Sequence, residues 1–218
     1  WKKYLKTDKI IILGIGGSYR SELFSLIDYL VKKKLNNKII LMTGFQVFPT
    51  PFKSHSVREI QDLIEKYSKF NMKIGFSDHV AGGTDESFYL PIFALGAGAV
   101  VIEKHFTLDK SLVGPDQTTS ANPIEFARLV TSIRNAELSL GSSIKEPCEV
   151  EKINEKGMRR SIVAKCNIAK GVIITDDMIA LKRPSSGISP VFIDEILGRK
   201  TLNSLIQDDQ FKWSDIGE

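Results

Sequence analysis

Cysteine is almost absent from this chain: there are two among 218 residues, Cys148 and Cys166, without a paired metal-binding spacing. That argues against a disulfide-stapled scaffold and points to a reducing, cytoplasmic setting. No apolar run approaches the roughly 18 residues of a transmembrane helix, and no apolar core follows the opening Trp1-Lys2-Lys3-Tyr4. Neither a membrane span nor a signal peptide is expected, although the chain opens abruptly on Trp rather than Met. Charge of one sign is not concentrated either. The 30 basic residues outnumber the 26 acidic ones only slightly and are spread along the chain, which disfavours a nucleic-acid or membrane partner. Histidine is scarce, with three in all. What remains, 42% apolar and 26% charged residues, describes an ordinary globular protein of one large or two small domains.

The first part of the chain alternates short apolar runs with helical spacing. Lys9 to Leu13, Lys38 to Met42, Lys73 to Phe76 and Ala99 to Ile102 read as strands buried on both faces. Between them, Ser21 to Lys34, a segment capped by Ser56 and running through Tyr67, and Glu86 to Leu95 (despite Pro91) read as helices. Asn122-Pro123 is a strong helix start, and that helix runs to Gly141. Strand–helix units of this kind build a parallel sheet. A doubly wound sheet and half of a (β/α)₈ barrel, which needs about 250 residues when complete, both fit. Residues 142–157 read as a linker. Beyond it, Arg160 to Lys165, a turn at Ala169-Lys170-Gly171, a strand entering a Thr175-capped turn, and Leu181 to Pro184 predict a small β-rich domain. Ile206 to Ile216 weakly echoes Ile168 to Met178, which implies internal pseudo-symmetry.

Two of the three histidines close successive apolar runs, in Gly75-Phe76-Ser77-Asp78-His79 and Val100-Val101-Ile102-Glu103-Lys104-His105. Strand alternation puts Ser77 and His79 on one face, with Asp78 on the other. Likewise Glu103 and His105 share a face that Lys104 does not. If the strands are parallel neighbours, these four groups meet at their carboxyl ends, where α/β enzymes keep their sites. Two imidazoles there can hold one divalent ion with open positions that polarise a carbonyl, and Glu103 is a candidate orienting or acid–base group.

These segments closely resemble the sialic acid synthase family, through Gly75 to His79, Gly96-Ala97, Ile102 to Asp109, Gly114-Pro115-Asp116 and Ser120. Arg160-Ser161, Lys170-Gly171, Lys182-Arg183-Pro184, Gly187 and Leu197-Gly198 resemble its C-terminal antifreeze-like (SAF) domain. The fold implied is α/β: the C-terminal half of a (β/α)₈ TIM barrel at 1–141, the linker at 142–157, and a small β-rich SAF domain at 158–218. The activity implied is condensation of phosphoenolpyruvate with an N-acyl hexosamine to a nine-carbon keto acid and phosphate, for a surface polysaccharide. His79 and His105 match the family's ligands for Mn²⁺ or Mg²⁺, and Glu103 matches a site carboxylate. Ser77 matches a phosphoenolpyruvate contact and Asp116 a contact to sugar hydroxyls. Arg183 matches an arginine that enters the partner's barrel and binds the acyl-amino group, which implies a domain-swapped homodimer.

Three departures accompany the resemblance. A Ser-Thr-Gly at the first strand end is replaced by Gly14-Ile15-Gly16, which removes a phosphate-binding hydroxyl near Gly16. Gln46 replaces an Asn, and Phe48 replaces a Tyr and loses its hydroxyl. The family's first four strands have no counterpart, so a truncated or split synthase with open sheet edges, inactive alone, is the expectation. A sugar-binding paralogue without chemistry is the main alternative. A metal-dependent barrel hydrolase would need more ligands. An ice-binding role conflicts with the charged SAF surface expected from Lys165, Lys170, Asp176, Asp177, Lys182 and Arg183.

Overall fold

The computed structural model describes residues 8–217; the opening Trp1 to Tyr4 lies outside them. The chain divides between Ser142 and Ser143 into two units, each with its own core.

The first unit is built on four parallel strands in the order β1-β2-β3-β4: Ile11–Gly14, Ile39–Thr43, Lys73–Asp78 and Ile102–Lys104. Sequential strands pair side by side, with Ile11 opposite Ile39, Leu41 opposite Ile74 and Phe76 opposite Ile102. Helices α1 (Arg20–Lys32), α2 (Arg58–Tyr67) and α3 (Glu86–Gly96) make the crossovers that parallel pairing requires. This is the half-barrel arrangement. Among the described residues β1 and β4 are the outer strands of the ladder.

The core forms where β2 meets the inner stripes of the helices. Leu30, Leu41, Ile60 and Ile74 lose essentially all contact with solvent there, joined by Leu90 and Ala94. The proline within α3, Pro91, is buried in this packing and the helix runs through it. Helix α4 (Pro123–Leu140) starts as expected. Asn122 Oδ1 accepts the Glu125 N–H at 2.9 Å, and Glu125 Oε2 accepts that of Asn122 at 3.0 Å, a reciprocal capping box.

Several boundaries differ from the sequence reading. Strand β3 runs on to Asp78, and β4 begins at Ile102 rather than Ala99. Residues 96–99 are spent closing α3, with Gly98 at φ +101° and the Ala99 N–H bonded to the Ala94 carbonyl. Ser56 does not cap α2 through its side chain; the helix starts at Arg58 behind Val57, and Ser56 contributes only its carbonyl, to Glu59.

Within the expected linker, Glu149–Met158 forms helix α5. Its short apolar content masked it, but Glu151 Oε2 accepts the Cys148 N–H, and Glu149–Lys152 and Glu155–Arg159 pair along its surface.

The second unit has one regular ladder, β5 (Ser161–Ala164) antiparallel to β6 (Ile179–Lys182). The rest is loops tied by isolated bridges such as Ile168–Leu205 and Ile173–Lys200 around a core of Ile162, Ile174, Ile196 and Phe211, completed by α6 (Ile193–Ile196). Matching short turns at Asp176–Met178 and Trp213–Asp215 underlie the sequence echo. Thr175 makes no side-chain bond to the backbone of the first of these turns; its hydroxyl bonds the Asp177 carboxylate instead.

Candidate functional site

Ser77 and Glu103 are register partners across β3 and β4, as are Asp78 and Lys104. The pleat therefore sends Ser77, Glu103, His79 and His105 to one side, at the carboxyl ends of the strands. The imidazoles of His79 and His105 stand with ring centroids 5.2 Å apart and planes crossed at 78°. His79 is almost fully buried, whereas His105 is half-buried and Glu103 exposed.

Each ring is held from behind. Nδ1 of His79 lies 2.6 Å from the Phe45 carbonyl, which accepts only if that nitrogen carries the proton. In the neutral ring this hydrogen bond selects the tautomer whose Nε2 lone pair is available to a metal. The His79 carbonyl accepts the Thr50 N–H at 2.8 Å. Nδ1 of His105 faces Asp116 Oδ2 at 3.6 Å, beyond hydrogen-bonding distance. The Asp116 carbonyl is tied by the Ser120 hydroxyl at 2.8 Å. Phe48 packs against both rings, at 4.3 Å from His79 and 5.5 Å from His105.

The loop after β2 brings in the remaining barrel candidates. A Cβ on Gly44 would lie 2.6 Å from the Ser77 carbonyl, so glycine is what lets this loop lie flat on β3 and offer the Phe45 carbonyl to His79. Gly16 is equally confined: a Cβ there would meet the Gly44 carbonyl at 2.3 Å and Gln46 Nε2 at 2.5 Å. Gly16 and Gln46 line a cavity of about 280 Å³ with Thr43, His55 and Glu59, in which the Thr43 hydroxyl donates to Glu59 at 2.7 Å. Gly16, Gln46, Phe48, Ser77, His79, Glu103, His105 and Asp116 thus all belong to the strand-end region of the first unit. Arg183 belongs to the second unit. There its Nε donates to the Met158 carbonyl at 2.9 Å, capping α5, while the neighbouring Ser185 N–H bonds the Lys156 carbonyl.

The sequence reading passed over three residues. Asp78 and Lys104 point away from the imidazoles and are sealed from solvent, with Lys104 Nζ 2.9 Å from Asp78 Oδ2. Burial pulls the Lys104 ammonium below the usual lysine range, and the Asp78 carboxylate opposes that. His55, the third histidine, keeps Nε2 buried without a hydrogen-bond partner. Burial lowers its proton affinity, and His79 and Lys104 add to this against the pull of Asp78. Alternation marks Asp78 and Lys104 as facing inward; nothing in the sequence signals where His55 lies.

Among the described residues no group of three or more His, Cys, Asp or Glu side chains comes together to hold a metal. A two-imidazole site is nonetheless sterically suited to an ion. Two rings bound through nitrogens at about 2.1 Å place their centroids about 5 Å apart, close to what is seen, and the bare Nε2 of His79 is a ligand lone pair. Oxygen donors from water or substrate would have to complete such a sphere.

The NeuB family model matches residues 1–145 and the SAF domain model residues 159–217. An uncharacterised protein of Methanocaldococcus jannaschii is 39% identical over 215 residues, covering 99% of this chain and 61% of that protein. The N,N'-diacetyllegionaminic acid synthase of Campylobacter jejuni is 34% identical over 95% of this chain and 60% of its own length. Other relatives carry the names pseudaminic acid synthase and N-acetylneuraminate-9-phosphate synthase. The crystal structure of a Chromobacterium violaceum protein, named for spore coat polysaccharide biosynthesis protein E, aligns over 100% of this chain and 63% of its own with a TM-score of 0.73, at 21% identity. That likeness concerns the fold. The chain spans about three fifths of the length of these two curated relatives. With paired imidazoles at adjacent strand ends and both family models matched in order, the chain belongs to the NeuB family, the sialic acid synthases, with a SAF domain at its C-terminal end.

Proposed function

We propose that the complete protein condenses phosphoenolpyruvate with the open-chain aldehyde of an N-acyl hexosamine, yielding a nine-carbon nonulosonic acid and inorganic phosphate. The observation that carries this reading is the convergence of His79 and His105 beside Glu103 at the ends of neighbouring parallel strands. Relatives named as legionaminic and pseudaminic acid synthases support it.

His79 and His105 would hold a divalent cation, Mn²⁺ better than Mg²⁺ because two nitrogens suit the softer ion. Bound there, the cation supplies Lewis-acid polarisation of the sugar carbonyl. Carbon 3 of phosphoenolpyruvate forms the new bond to the aldehyde carbon. The former aldehyde oxygen takes up a proton, water adds at carbon 2 and gives up its protons, and the bond from carbon 2 to the phosphate oxygen breaks, phosphate leaving with the electron pair and carbon 2 becoming the ketone. The Phe45 carbonyl fixes the His79 tautomer, and Asp116 steadies His105 and faces the sugar hydroxyls. Exposed Glu103 would transfer the proton at the sugar oxygen. Ser77, the Gly16 backbone and the Gln46 amide face the phosphoenolpyruvate side. Phe48 packs on both imidazoles and steadies their orientation, a role that needs no hydroxyl. A homodimer in which each partner lends Arg183 to the acyl-amino group belongs to the same reading, as do a cytoplasmic location and a product destined for surface polysaccharide.

The test is to supply the full-length protein with phosphoenolpyruvate, Mn²⁺ and either N-acetylmannosamine or a diacetamido hexose. Stoichiometric phosphate and keto acid are expected, with loss of about 10²–10³-fold in rate on His105→Ala, since removing electrostatic stabilisation of developing charge costs about that much. Sugar binding without phosphate release from any of these substrates would overturn the reading in favour of a non-catalytic sugar binder.

A further inference from the structure

Two imidazoles on different strands converge only if the strand ends stay in register, and the means of holding them lies on the opposite face. Asp78 and Lys104 are partners across β3 and β4, and each precedes one of the histidines by a single residue. Both side chains are closed to solvent, at 0% and 1% exposure. Lys104 Nζ sits 2.9 Å from Asp78 Oδ2 and also donates to the Val80 carbonyl at 2.6 Å. The other carboxylate oxygen, Asp78 Oδ1, accepts the Val80 N–H at 2.9 Å. The residue directly after His79 is therefore gripped at its N–H by one member of the pair and at its carbonyl by the other. Beyond Lys104, the His105 carbonyl accepts the Ala121 N–H at 2.8 Å, which pins the second histidine from its far side.

An ion pair this deep adds little net stability, because stripping water from two charges offsets their attraction. Its geometric consequence is larger. A slip of one residue between β3 and β4 would exchange the faces of every side chain, turning His105 inward and stranding a charged lysine. The correct register is the one that pairs the two charges.

We propose that Asp78 and Lys104 are positioning residues for the site: their buried pairing locks the ends of β3 and β4 and clamps the backbone beyond His79, so that both imidazoles face one ligand. This rests on the reading that the two rings act together, not on the reaction or on the identity of a cation.

The test uses the full-length protein with the double substitution Asp78→Asn/Lys104→Met, which removes both charges at once. Two quantities are read: the nuclear Overhauser effect between the His79 and His105 rings in selectively labelled, metal-free protein, and the Mn²⁺ dissociation constant from the spin-resonance signal of free Mn²⁺. The expected result is a folded protein by circular dichroism, loss of the ring-to-ring effect, and a dissociation constant raised at least tenfold. A folded double variant that keeps the ring contact and wild-type Mn²⁺ affinity overturns the proposal. Should the double variant not fold, Lys104→Arg decides, because its planar fork keeps the charge but does not reproduce both contacts of the ammonium. A weakened ring contact supports the proposal there, and an unchanged one overturns it. Failure of wild-type protein to bind Mn²⁺ would remove the cation reading alone, leaving the ring contact to judge positioning.

Discussion

The two units hold themselves together in different ways. The first has a continuous four-stranded ladder with a helix behind each step, and its buried charges, Asp78 and Lys104, are spent at the end of that ladder. The second has only β5 and β6 in regular pairing; most of its cohesion comes from one apolar cluster around Phe211 and from single hydrogen bonds between loops. Thr201 illustrates this. It is 1% exposed, its hydroxyl donates to the Ala169 carbonyl at 2.8 Å and its N–H to that of Val172 at 2.9 Å. A periodic scaffold can place reactive groups at a fixed level, while an irregular one must specify each loop by its own contacts.

The contrast can be broken most sharply at the buried charges. Lys104→Met alone, which leaves the Asp78 carboxylate buried and uncompensated, is expected to destabilise the first unit by about 3–5 kcal/mol in chemical denaturation. Removing the exposed pair Lys182–Asp208 in the second unit should cost less than about 1 kcal/mol. Equal effects would show that burial is not what distinguishes them.

Phe211→Ala empties the centre of the second core and is expected to cost about 3–5 kcal/mol, lowering the thermal transition of that unit while β1–β4 keep their hydrogen-exchange protection. Thr201→Val, which removes a donor from a buried loop crossing, should cost about 1–3 kcal/mol in the same transition. Asn122→Ala deletes one half of the α4 capping box and should cost about 1 kcal/mol in the first unit.

The smallest effect is a pH dependence confined to the first unit. The proton affinity of His55 is lowered in the folded state, chiefly by burial, so the unfolded chain binds its proton more readily. Its contribution to stability is therefore complete above the ordinary histidine pKa of about 6.5 and declines as pH falls below it. Denaturation midpoints at pH 7.5 and 5.5 should differ less in His55→Phe than in the wild type, with no change in the second unit.

Much of this arrangement was legible beforehand because period carries face. The runs ending at Phe76 and Ile102, read with strand alternation, put Ser77 with His79 and Glu103 with His105, as the ladder does. The reading failed where local signals compete with closure. Ala99 looks like strand but its N–H closes α3 on the Ala94 carbonyl, so that only Val100 and Val101 begin the bonding to β3, and Ser56 looks like a cap but the helix begins two residues later. Helix α5 has too few apolar residues to advertise itself and depends on surface charge pairs and a capping carboxylate.

Residue order alone determined the strand–helix alternation, the faces on which the two histidines lie, and the family motifs, because these follow from backbone geometry that repeats every two or 3.6 residues. Tertiary structure decided what those faces meet. It set the Phe45 carbonyl behind His79, Phe48 across both rings, His55 in the wall beside Gln46, and Asp78 against Lys104. Those contacts join segments tens of residues apart, and no local pattern encodes the distance at which such segments come to rest.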